Sequence, residues 1–357
     1  MSKIKKNSVS ILFFVLSVLS FLLSGISGKY LTSEIYIRFI RNMLFILALI
    51  LPIMCGMGIN FAIIVGSVSA QAAIVFSIDL GITGARALLF VILVSFGFSI
   101  LFGNMVANLL NKARGKEMIV SILIGQLSSV VYQFVFMVCY GLVFQPANKE
   151  ILLDRGIGVR SMLDAKNISE VFKGLLPFTF DGKVYSFFPV VIIIIFSIIH
   201  YFIEKSKLGN LARAVGEDIH TAEKLGINSN RIRKICIIIS TIFPSMSQIL
   251  FVSNMGSINV YTGHLGIDIF AAAAILVGGA TLKRANMKNC FIGVILFHTL
   301  FVTSAMAGQR LFNNPAVGEY FRSFVAYATI VIALILNLKS DENNYRLSLK
   351  NLMNKIN

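Results

Sequence analysis

Few side chains in this sequence are of the kinds that catalyse reactions or bind metal ions. The 357 residues include four histidines and four cysteines, and the cysteines share no metal-ligand spacing. Each cysteine lies in or beside an apolar run, which favours a packing role. They are Cys55, Cys139, Cys236 and Cys290. The pattern G-x-x-x-x-G-K-[ST], which cradles nucleotide phosphates, is missing. We therefore predict no catalytic, cofactor-binding or metal-binding residues.

One short stretch, AVGEDIHTAEKLGI, which is Ala214–Ile227, carries four charged residues and a histidine. It lies between long apolar runs, in a chain that is 57% hydrophobic and only 13% charged. Apolar residues recur in it at spacings of four, three and three, which predicts a helix with one apolar face. These residues are Val215, Ile219, Ala222 and Leu225.

The flanking residues predict where this helix starts and stops. Glu217 and Asp218 come early, where negative charge suits the helix dipole. Gly226 fits the left-handed position just past a helix end, and Asn228 begins a group that can cap the next helix. The apolar face can pack on a soluble partner, on the protein's own helices or on the lipid interface, and the pattern leaves these alternatives open.

The elements around this stretch are those of a membrane protein. The mean hydropathy is +0.83, and apolar runs such as Tyr185–Ile203 have the length of about 20 residues that crosses a bilayer. Backbone groups in a bilayer must be satisfied internally, and no alternating, strand-like segments suggest a barrel. We predict an all-α, polytopic membrane helical bundle.

About ten transmembrane helices account for the apolar pattern. They are Val9–Ser27, Phe39–Cys55, Met57–Phe76, Ala87–Leu110, Met118–Phe144, Phe187–Ile203, Ile235–Met255, Ile267–Leu282, Phe291–Ala307 and Phe324–Leu338. Pro52, Gly56 and Gly58 break the pattern between the second and third. The first could pass for a signal peptide, but it lacks a clear cleavage site, and we expect it to be a retained span.

The basic residues set the orientation. Lys and Arg number 32 against 16 Asp and Glu, and they lie at the ends of apolar runs. That placement follows the positive-inside rule and argues against a nucleic-acid partner. It predicts a single transmembrane domain, residues 1–357, in the cell membrane with both termini cytoplasmic. A loop 204–234 and a tail 339–357 lie inside, and a hydrophilic loop 145–186 lies outside. Within that loop, SMLDAKNISEVFKGL is either an amphipathic helix on the membrane surface or a solvated connector.

Two segments carry a family resemblance. Leu208–Leu250, which contains the charged stretch, resembles the signature cytoplasmic loop of ABC-transporter permeases of the ribose/branched-chain amino acid type. GIDIFAAAAILVGGATLKR resembles the second landmark of that family, and its glycine pair, a structural motif, is Gly278 and Gly279. With the run that begins at Asn42, the resemblance covers residues 42–338.

The resemblance implies the partners. In that family the short helix of the loop is a coupling helix that seats in a groove of an ATP-binding subunit. A second permease subunit, the same or homologous, and an external solute-binding protein complete the importer, so this chain is expected to be no enzyme itself. The residues matched to ATPase coupling are Gly216, Glu217, Asp218, Ala222, Glu223, Leu225, Gly226 and Ile227.

Polar residues inside the spans predict the translocation pathway. They are Asn60, Ser67, Ser69, Gln71, Gln126, Gln133, Gln248 and Asn254. Helix packing and interhelical hydrogen bonds are the alternative reason for such residues. The neutral lining favours a small neutral solute, sugar or nucleoside-like, while branched-chain amino acids and riboflavin-like solutes stay open. His264, in a predicted outer turn, is a candidate for contact with a binding protein.

Two other classes of function compete with this one. An ion-coupled secondary transporter usually needs ionisable groups inside the membrane, and the predicted spans contain almost none. A membrane-embedded enzyme needs clustered His, Asp, Glu or Cys at one membrane face, and the sequence predicts no such cluster.

Overall fold

A computed structural model describes residues 8–325 together with 327, 328, 331, 332 and 335. These residues are mostly helical. The chain divides into two compact units, one formed by residues 36–271 and the other by residues 1–35 with 272–357.

The helices follow one another closely along the chain. They are α1 (Ser8–Ser24), α2 (Gly28–Leu47), α3 (Ile50–Met54), α4 (Ile64–Asp79), α5 (Gly84–Lys112), α6 (Glu117–Phe134), α7 (Lys166–Gly174), α8 (Phe188–Lys205), α9 (Lys207–Glu217), α10 (Ile219–Lys224), α11 (Ser229–Met255), α12 (Ile267–Val277) and α13 (Met287–Phe312). A 3₁₀ turn, Phe61–Ile63, precedes α4, and a π-helical turn, Val135–Cys139, extends α6. Short strands are β1 (Met162–Asp164), β2 (Pro177–Phe180), β3 (Lys183–Ser186) and β4 (Ser257–Asn259).

Within the described residues, seven helical segments are long and apolar enough to cross a membrane. They are Gly28–Met54, Phe61–Asp79, Gly84–Lys112, Glu117–Cys139, Phe188–Lys205, Ser229–Met255 and Met287–Phe312. The prediction of a multi-pass helical membrane protein is supported. The expected number of ten crossings is not reached by these seven.

The differences have local causes. Helix α1 has 17 residues and α12 has 11, and both are apolar but shorter than the roughly 20 residues of a full crossing. The predicted crossing Ile267–Leu282 ends at Val277 because two glycines follow it. The predicted crossing Phe324–Leu338 lies almost wholly outside the described residues.

Helix α2 begins well before the predicted start at Phe39. Charged residues near the start of α2 shorten the apolar run in the sequence, yet the backbone is helical from Gly28. Arg41, which falls within this helix, has its guanidinium 3.8 Å from the ring centre of Phe251. A cation over an aromatic face is stabilised when it is desolvated, which helps to accommodate the charge.

The core of the 36–271 unit is built where α4 and α5 meet α11. A Cβ at Gly66 would lie 2.1 Å from the carbonyl oxygen of Thr241, and one at Gly103 would lie 2.3 Å from the Thr241 hydroxyl oxygen. The same hydroxyl donates to the carbonyl of Ser99 at 2.9 Å. Small residues thus bring three helix backbones together, as is common between membrane helices.

The predicted break between the second and third spans is present. Gly56 and Gly58 have φ of 74° and 69°, a region that favours glycine. The Asn60 side chain accepts from the Ala62 amide and donates to the Ser240 hydroxyl, both at 3.1 Å. The broken backbone is therefore capped and tied to α11, as a membrane environment requires.

The loop predicted to lie outside carries regular structure. Strand β1 pairs with β4, and β2 pairs with β3, both antiparallel. The predicted amphipathic helix forms α7, whose Ile168 and Phe172 are buried. Phe172 meets Phe188 with ring centres 5.4 Å apart. Its apolar face therefore packs on the protein, so the helix forms as predicted but uses that face neither for the membrane surface nor as a solvated connector.

In the other unit, the glycine pair after α12 mediates backbone packing. A Cβ at Gly278 would lie 1.8 Å from the Asn289 carbonyl oxygen, so only glycine fits there. The Asn289 side chain donates to the Gly278 carbonyl at 2.7 Å, and Gly279 has φ of 86°. Ser10 of α1 donates to the Val277 carbonyl at 2.8 Å. The pair thus packs the end of α12 against the start of α13.

Candidate functional site

The charged stretch is two helices rather than one. Helix α9 ends at Glu217, and Asp218 adopts an extended conformation with φ of −154° and ψ of 107°. The Asp218 carboxylate accepts from the backbone amides of His220 and Thr221 at 2.9 and 3.2 Å. Asp218 is therefore the N-cap of α10, and the prediction of one continuous helix is wrong at this residue.

The predicted end of the stretch is confirmed. Gly226 has φ of 80°. Its amide donates to the Glu223 carbonyl, and the Ile227 amide donates to the Ala222 carbonyl, both at 3.0 Å. This is the hydrogen-bond pattern of a Schellman motif. Asn228 then caps α11 by accepting from the Arg231 amide at 3.0 Å.

The predicted apolar face is divided between the protein and the solvent. Val215 and Ala222 are buried, with 3% and 2% exposure. Leu225 is 76% exposed, beside the exposed residues Lys224 and Gly226. Of the alternatives that the sequence leaves open, packing on the protein's own helices therefore applies to Val215 and Ala222, while Leu225 stays exposed.

Helix α9 ends directly against the break after α3. A Cβ at Gly216 would lie 2.0 Å from the Met54 carbonyl oxygen and 2.9 Å from the Gly56 amide nitrogen. No side chain fits between these two backbones. The stretch is thus in direct contact with the corner that joins two candidate spans.

Ionic contacts tie the stretch to the loop between α5 and α6. Arg114 contacts the Glu223 carboxylate at 3.0 Å and donates to the Asn230 side chain at 2.8 Å. Glu223 also accepts from the Ser229 hydroxyl. The hydrogen bond from Ser229 and the nearby Arg114 guanidinium hold the pKa of Glu223 below its ordinary value. Glu223, expected to contact a partner, is engaged within the chain.

A buried ion pair lies beside this contact. The Arg233 guanidinium is 2.6 Å from the Glu117 carboxylate, and the two residues are 3% and 8% exposed. Arg233 also donates to the Leu110 carbonyl at 3.4 Å. These contacts bring residues 110–117 and 204–234 together at one end of the 36–271 unit.

At the other end of α6 and α4, three of the predicted pathway residues converge on one loop. We call residues 257–266 the capping loop. Gln71 donates to the Asn259 carbonyl at 3.4 Å, Gln133 to the Tyr261 carbonyl at 2.8 Å, and Gln248 to the Gly263 carbonyl at 3.4 Å. The three glutamines come from α4, α6 and α11, so one short loop is held by three helices.

The remaining predicted pathway residues separate into different environments. Asn60 caps the turn before α4, and the Ser69 hydroxyl donates to the Val65 carbonyl of its own helix at 2.7 Å. Ser67 is fully buried. Gln126 is exposed and Asn254 is half-buried. Their common role in a pathway stays a prediction.

The sequence did not single out several residues that matter here. In the sequence, Arg114 and Arg233 are recognisable only as basic residues beside apolar spans. Their ion-pair partners, Glu223 and Glu117, are distant in sequence. A glycine at a break, such as Gly56, does indicate that another backbone segment packs closely against it. The sequence does not indicate which segment that is. Among the described residues, no three His, Cys, Asp or Glu side chains come together as metal ligands.

Comparison with known proteins gives one family. The model of the family described as "Branched-chain amino acid transport system / permease component" matches residues 31–334. This match covers the charged stretch, the break after α3 and the capping loop.

The individual relatives have low sequence identity to this chain and align with only part of it. The chain is 26% identical to the high-affinity branched-chain amino acid transport system permease protein BraD of Pseudomonas aeruginosa, over 49% of this chain and 56% of that protein. It is 25% identical to the probable ABC transporter permease protein YphD of Escherichia coli K12, over 42% and 43%. It is 28% identical to the autoinducer 2 import system permease protein LsrC of Photorhabdus luminescens, over 38% and 39%. The aligned part thus spans about half or less of these relatives, and no solved structure matches the chain.

Proposed function

Since the chain belongs to the family of branched-chain amino acid transport system permease components, we propose that it is the membrane-spanning subunit of an ABC importer. It forms the route for a solute, while ATP is hydrolysed in a separate subunit. A second permease subunit, the same or homologous, and an external solute-binding protein complete the assembly. The chain itself carries no catalytic role.

The observation that carries this proposal is the seat of α9 and α10. Gly216 packs backbone to backbone on the Met54–Gly56 corner, while Leu225 stays 76% exposed at the same end of the unit. Residues 207–227 thus have one face fixed to the spans and another free for a soluble subunit. We call them the coupling segment. A rigid element in contact with both sides can transmit a conformational change.

The orientation follows from charge and contacts together. The coupling segment and the basic loop 110–117 meet through Arg114 and Glu223. The positive-inside rule assigns this end of the 36–271 unit to the cytoplasm, where an ATP-binding subunit is found. The capping loop and residues 140–186, which we call the outer segment, then face outward, where a solute-binding protein docks. Both termini are cytoplasmic.

The solute is small, polar and neutral, of the sugar or nucleoside type. The side chains that converge on the capping loop are amides, so they suit hydroxyl or amide groups. Branched-chain amino acids are the second candidate, because the relative in Pseudomonas aeruginosa is a permease protein for them. A riboflavin-like solute is a third member of the same class.

The coupling role is tested by a charge placed on the exposed face. Leu225→Asp is expected to abolish ATP-dependent uptake and co-purification with the ATP-binding subunit, while membrane insertion persists. Leu153→Asp, at a 45% exposed leucine of the outer segment, is the matched control for co-purification and membrane insertion. Unchanged co-purification of Leu225→Asp would rule out docking through this face. Calorimetric titration of the solute-binding protein with ribose, adenosine and leucine identifies the solute class.

A further inference from the structure

Several polar atoms are buried around the capping loop without a protein partner. Within the described part of the chain, the Ser67 hydroxyl, the Tyr132 hydroxyl, Oε1 of Gln248 and Nε2 of His264 accept or donate no hydrogen bond. Ser67, Gln248 and His264 are 0% exposed, and Tyr132 is 4% exposed. Buried polar atoms are satisfied in the great majority of cases, so a group of four requires an explanation.

The four atoms belong to one neighbourhood. Nδ1 of His264 is 2.8 Å from Oε1 of Gln71, and the ring centres of His264 and Tyr132 are 5.2 Å apart. Gln248 donates to Gly263, the residue before His264. Ser67 lies one helical turn before Gln71, on the same face of α4.

The hydrogen bonds fix which of these atoms accept. Gln71 donates through Nε2 to the Asn259 carbonyl, so its Oε1 faces His264 and accepts from Nδ1. A neutral imidazole with its proton on Nδ1 has a bare lone pair on Nε2. Oε1 of Gln248 is an acceptor as well, and the two hydroxyls can both donate and accept. The cluster is therefore rich in acceptors.

Glycine at position 263 is required by this arrangement. A Cβ there would lie 2.7 Å from Nε2 of Gln71 and 2.6 Å from the Asn259 carbonyl oxygen. The loop can approach α4 this closely only because residue 263 has no side chain. The position of His264 against Gln71 follows from that approach.

We propose that Ser67, Tyr132, Gln248 and His264 form a solute-contact station in the permeation route, covered by the capping loop. The side chains of the station accept hydrogen bonds from the solute. The donors on the solute are hydroxyl or ammonium groups. Tyr132 and His264 are specificity-determining residues. This inference rests on the proposed function and deepens it, because it names the atoms that the solute meets.

The capping loop also connects the station to the outer segment. Its first residues form β4, which pairs with β1 in the register Met162 to Asn259 and Asp164 to Ser257. The Tyr261 hydroxyl donates to the carbonyl of Val159, which belongs to the outer segment. A protein that docks on the outer segment and displaces β1 therefore also displaces β4, and with it the loop that covers the station.

Cysteine labelling tests whether the station is open to solutes. Ser67→Cys and the control Ala73→Cys, at a fully buried residue of the same helix, are compared in a Cys139→Ser background, since the other three cysteines are buried. The probe is 2-(trimethylammonium)ethyl methanethiosulfonate, added to intact and to permeabilised cells with and without the ATP-binding subunit. We expect Ser67→Cys to react roughly tenfold faster than Ala73→Cys in at least one condition. If Ser67→Cys and Ala73→Cys react equally slowly in every condition, the proposal is overturned. The four buried atoms would then bind only trapped water.

Removal of one hydroxyl tests its role in recognition. Tyr132→Phe deletes a buried hydroxyl that has no protein partner, so a purely structural hydroxyl leaves uptake unchanged and the melting temperature equal or higher. A contact station instead predicts a KM for uptake that rises by roughly twofold to tenfold with the melting temperature maintained. Ser197→Ala, which deletes another such hydroxyl in α8, outside the station and the outer segment, is the control and should leave KM unchanged.

The two arms of the uptake assay are [³H]ribose and [³H]leucine in proteoliposomes with the ATP-binding subunit and the solute-binding protein. If the KM rises for ribose alone, the station binds hydroxyl donors of the solute. If the KM rises for leucine alone, the station binds the ammonium group. An unchanged KM for a transported probe overturns the proposal. If the unsubstituted chain moves neither probe, the proposed solutes are wrong, and the labelling result alone decides whether the station exists.

Discussion

Gly216 and Gly56 lie backbone against backbone. A Cβ on Gly56 would be 3.1 Å from the Cα of Gly216, and one on Gly216 would be 2.0 Å from the Met54 carbonyl oxygen. The end of α9 is thereby joined to the corner between two candidate spans with no side chain between them. A displacement of the coupling segment reaches both spans through main-chain contact.

Gly216→Ala is expected to weaken this connection. The added methyl group has no room, so α9 must move away from Met54, at a cost of about 1–3 kcal/mol for overpacking. The number of ATP molecules hydrolysed per solute imported should rise, because the segment still binds the ATP-binding subunit but moves the spans less. Simultaneous assays of hydrolysis and uptake in proteoliposomes measure that ratio.

The matched control for this prediction is Gly174→Ala. Gly174 is an exposed glycine at the end of α7, and a Cβ there meets no atom within 4 Å. It should leave the ratio unchanged. A Gly216→Ala protein with the same ratio as its parent would show that the glycine contact does not transmit motion.

The sequence predicted the C-terminal end of the coupling segment better than its interior, whereas its first helix begins at Lys207, before the predicted stretch. Gly226 and Asn228 act through local hydrogen bonds that depend only on neighbouring residues, and both predictions are confirmed. The break at Asp218 was missed because the apolar spacing continues across it. An aspartate inside a helix and one at an N-cap look the same in the sequence unless the following amides are known to be free.

Two spans were predicted to start too late, because charged residues precede their apolar runs. Ser229–Met255 extends six residues before the predicted start at Ile235, because Arg231, Arg233 and Lys234 stopped the apolar window. Yet Arg233 is buried, since Glu117 neutralises it from 116 positions away. Long-range pairs of this kind leave no local signal. The convergence of Gln71, Gln133 and Gln248 on one loop was invisible for the same reason.

Arg233→Ala is expected to destabilise the protein strongly. It leaves the Glu117 carboxylate buried without its partner, and such a loss costs about 3–5 kcal/mol. The double variant Arg233→Met/Glu117→Met removes both charges and should recover much of that loss. Melting temperatures of the purified protein in detergent measure both effects. Asp154→Ala, which breaks an exposed ion pair with Arg160, is the control, with an effect of about 1 kcal/mol or less.

If Arg233→Ala melts at the same temperature as Asp154→Ala, the pair contributes nothing beyond a surface contact. A double variant less stable than Arg233→Ala would mean that packing, rather than the unpaired charge, sets the cost.

Glu223 and Arg114 should respond to exchange as a pair. Glu223→Arg places two cations beside each other and is expected to reduce ATP-dependent uptake. Glu223→Arg/Arg114→Glu restores an ion pair in the reverse sense and should recover part of the activity, because the contact lies within the chain. Uptake and co-purification with the ATP-binding subunit are measured together. If the double variant is no better than Glu223→Arg, the glutamate acts on the partner subunit instead.

The contribution of Glu223 to stability has a defined pH dependence. Hydrogen bonding from Ser229 and the Arg114 guanidinium lower its pKa below the ordinary value of 4.5. A carboxylate with a lowered pKa in the folded state stabilises fully above its ordinary value, and this stabilisation is lost as the pH falls through the lowered value. The melting temperatures of the parent and Glu223→Gln should therefore differ by a constant amount between pH 8 and pH 6, and converge as the pH falls below 4.5.

Glu150→Gln, at an exposed residue of the outer segment, controls for general acid effects on the melts. A Glu223→Gln difference that disappears already at neutral pH would mean that the carboxylate is not held in the charged form by its neighbours.

Asp218 separates a capping role from a charge role in the coupling segment. Its carboxylate accepts from two amides of α10 and from the Thr221 hydroxyl, which together hold its pKa below the ordinary value. Asp218→Asn keeps a good N-cap and removes the charge, whereas Asp218→Ala removes both and costs about 1 kcal/mol of local helix stability. If α10 must be formed for docking, co-purification with the ATP-binding subunit should persist in Asp218→Asn and fall in Asp218→Ala. Equal loss in both variants would instead assign the residue a charged contact with the partner, and no loss in either would exclude Asp218 from docking altogether.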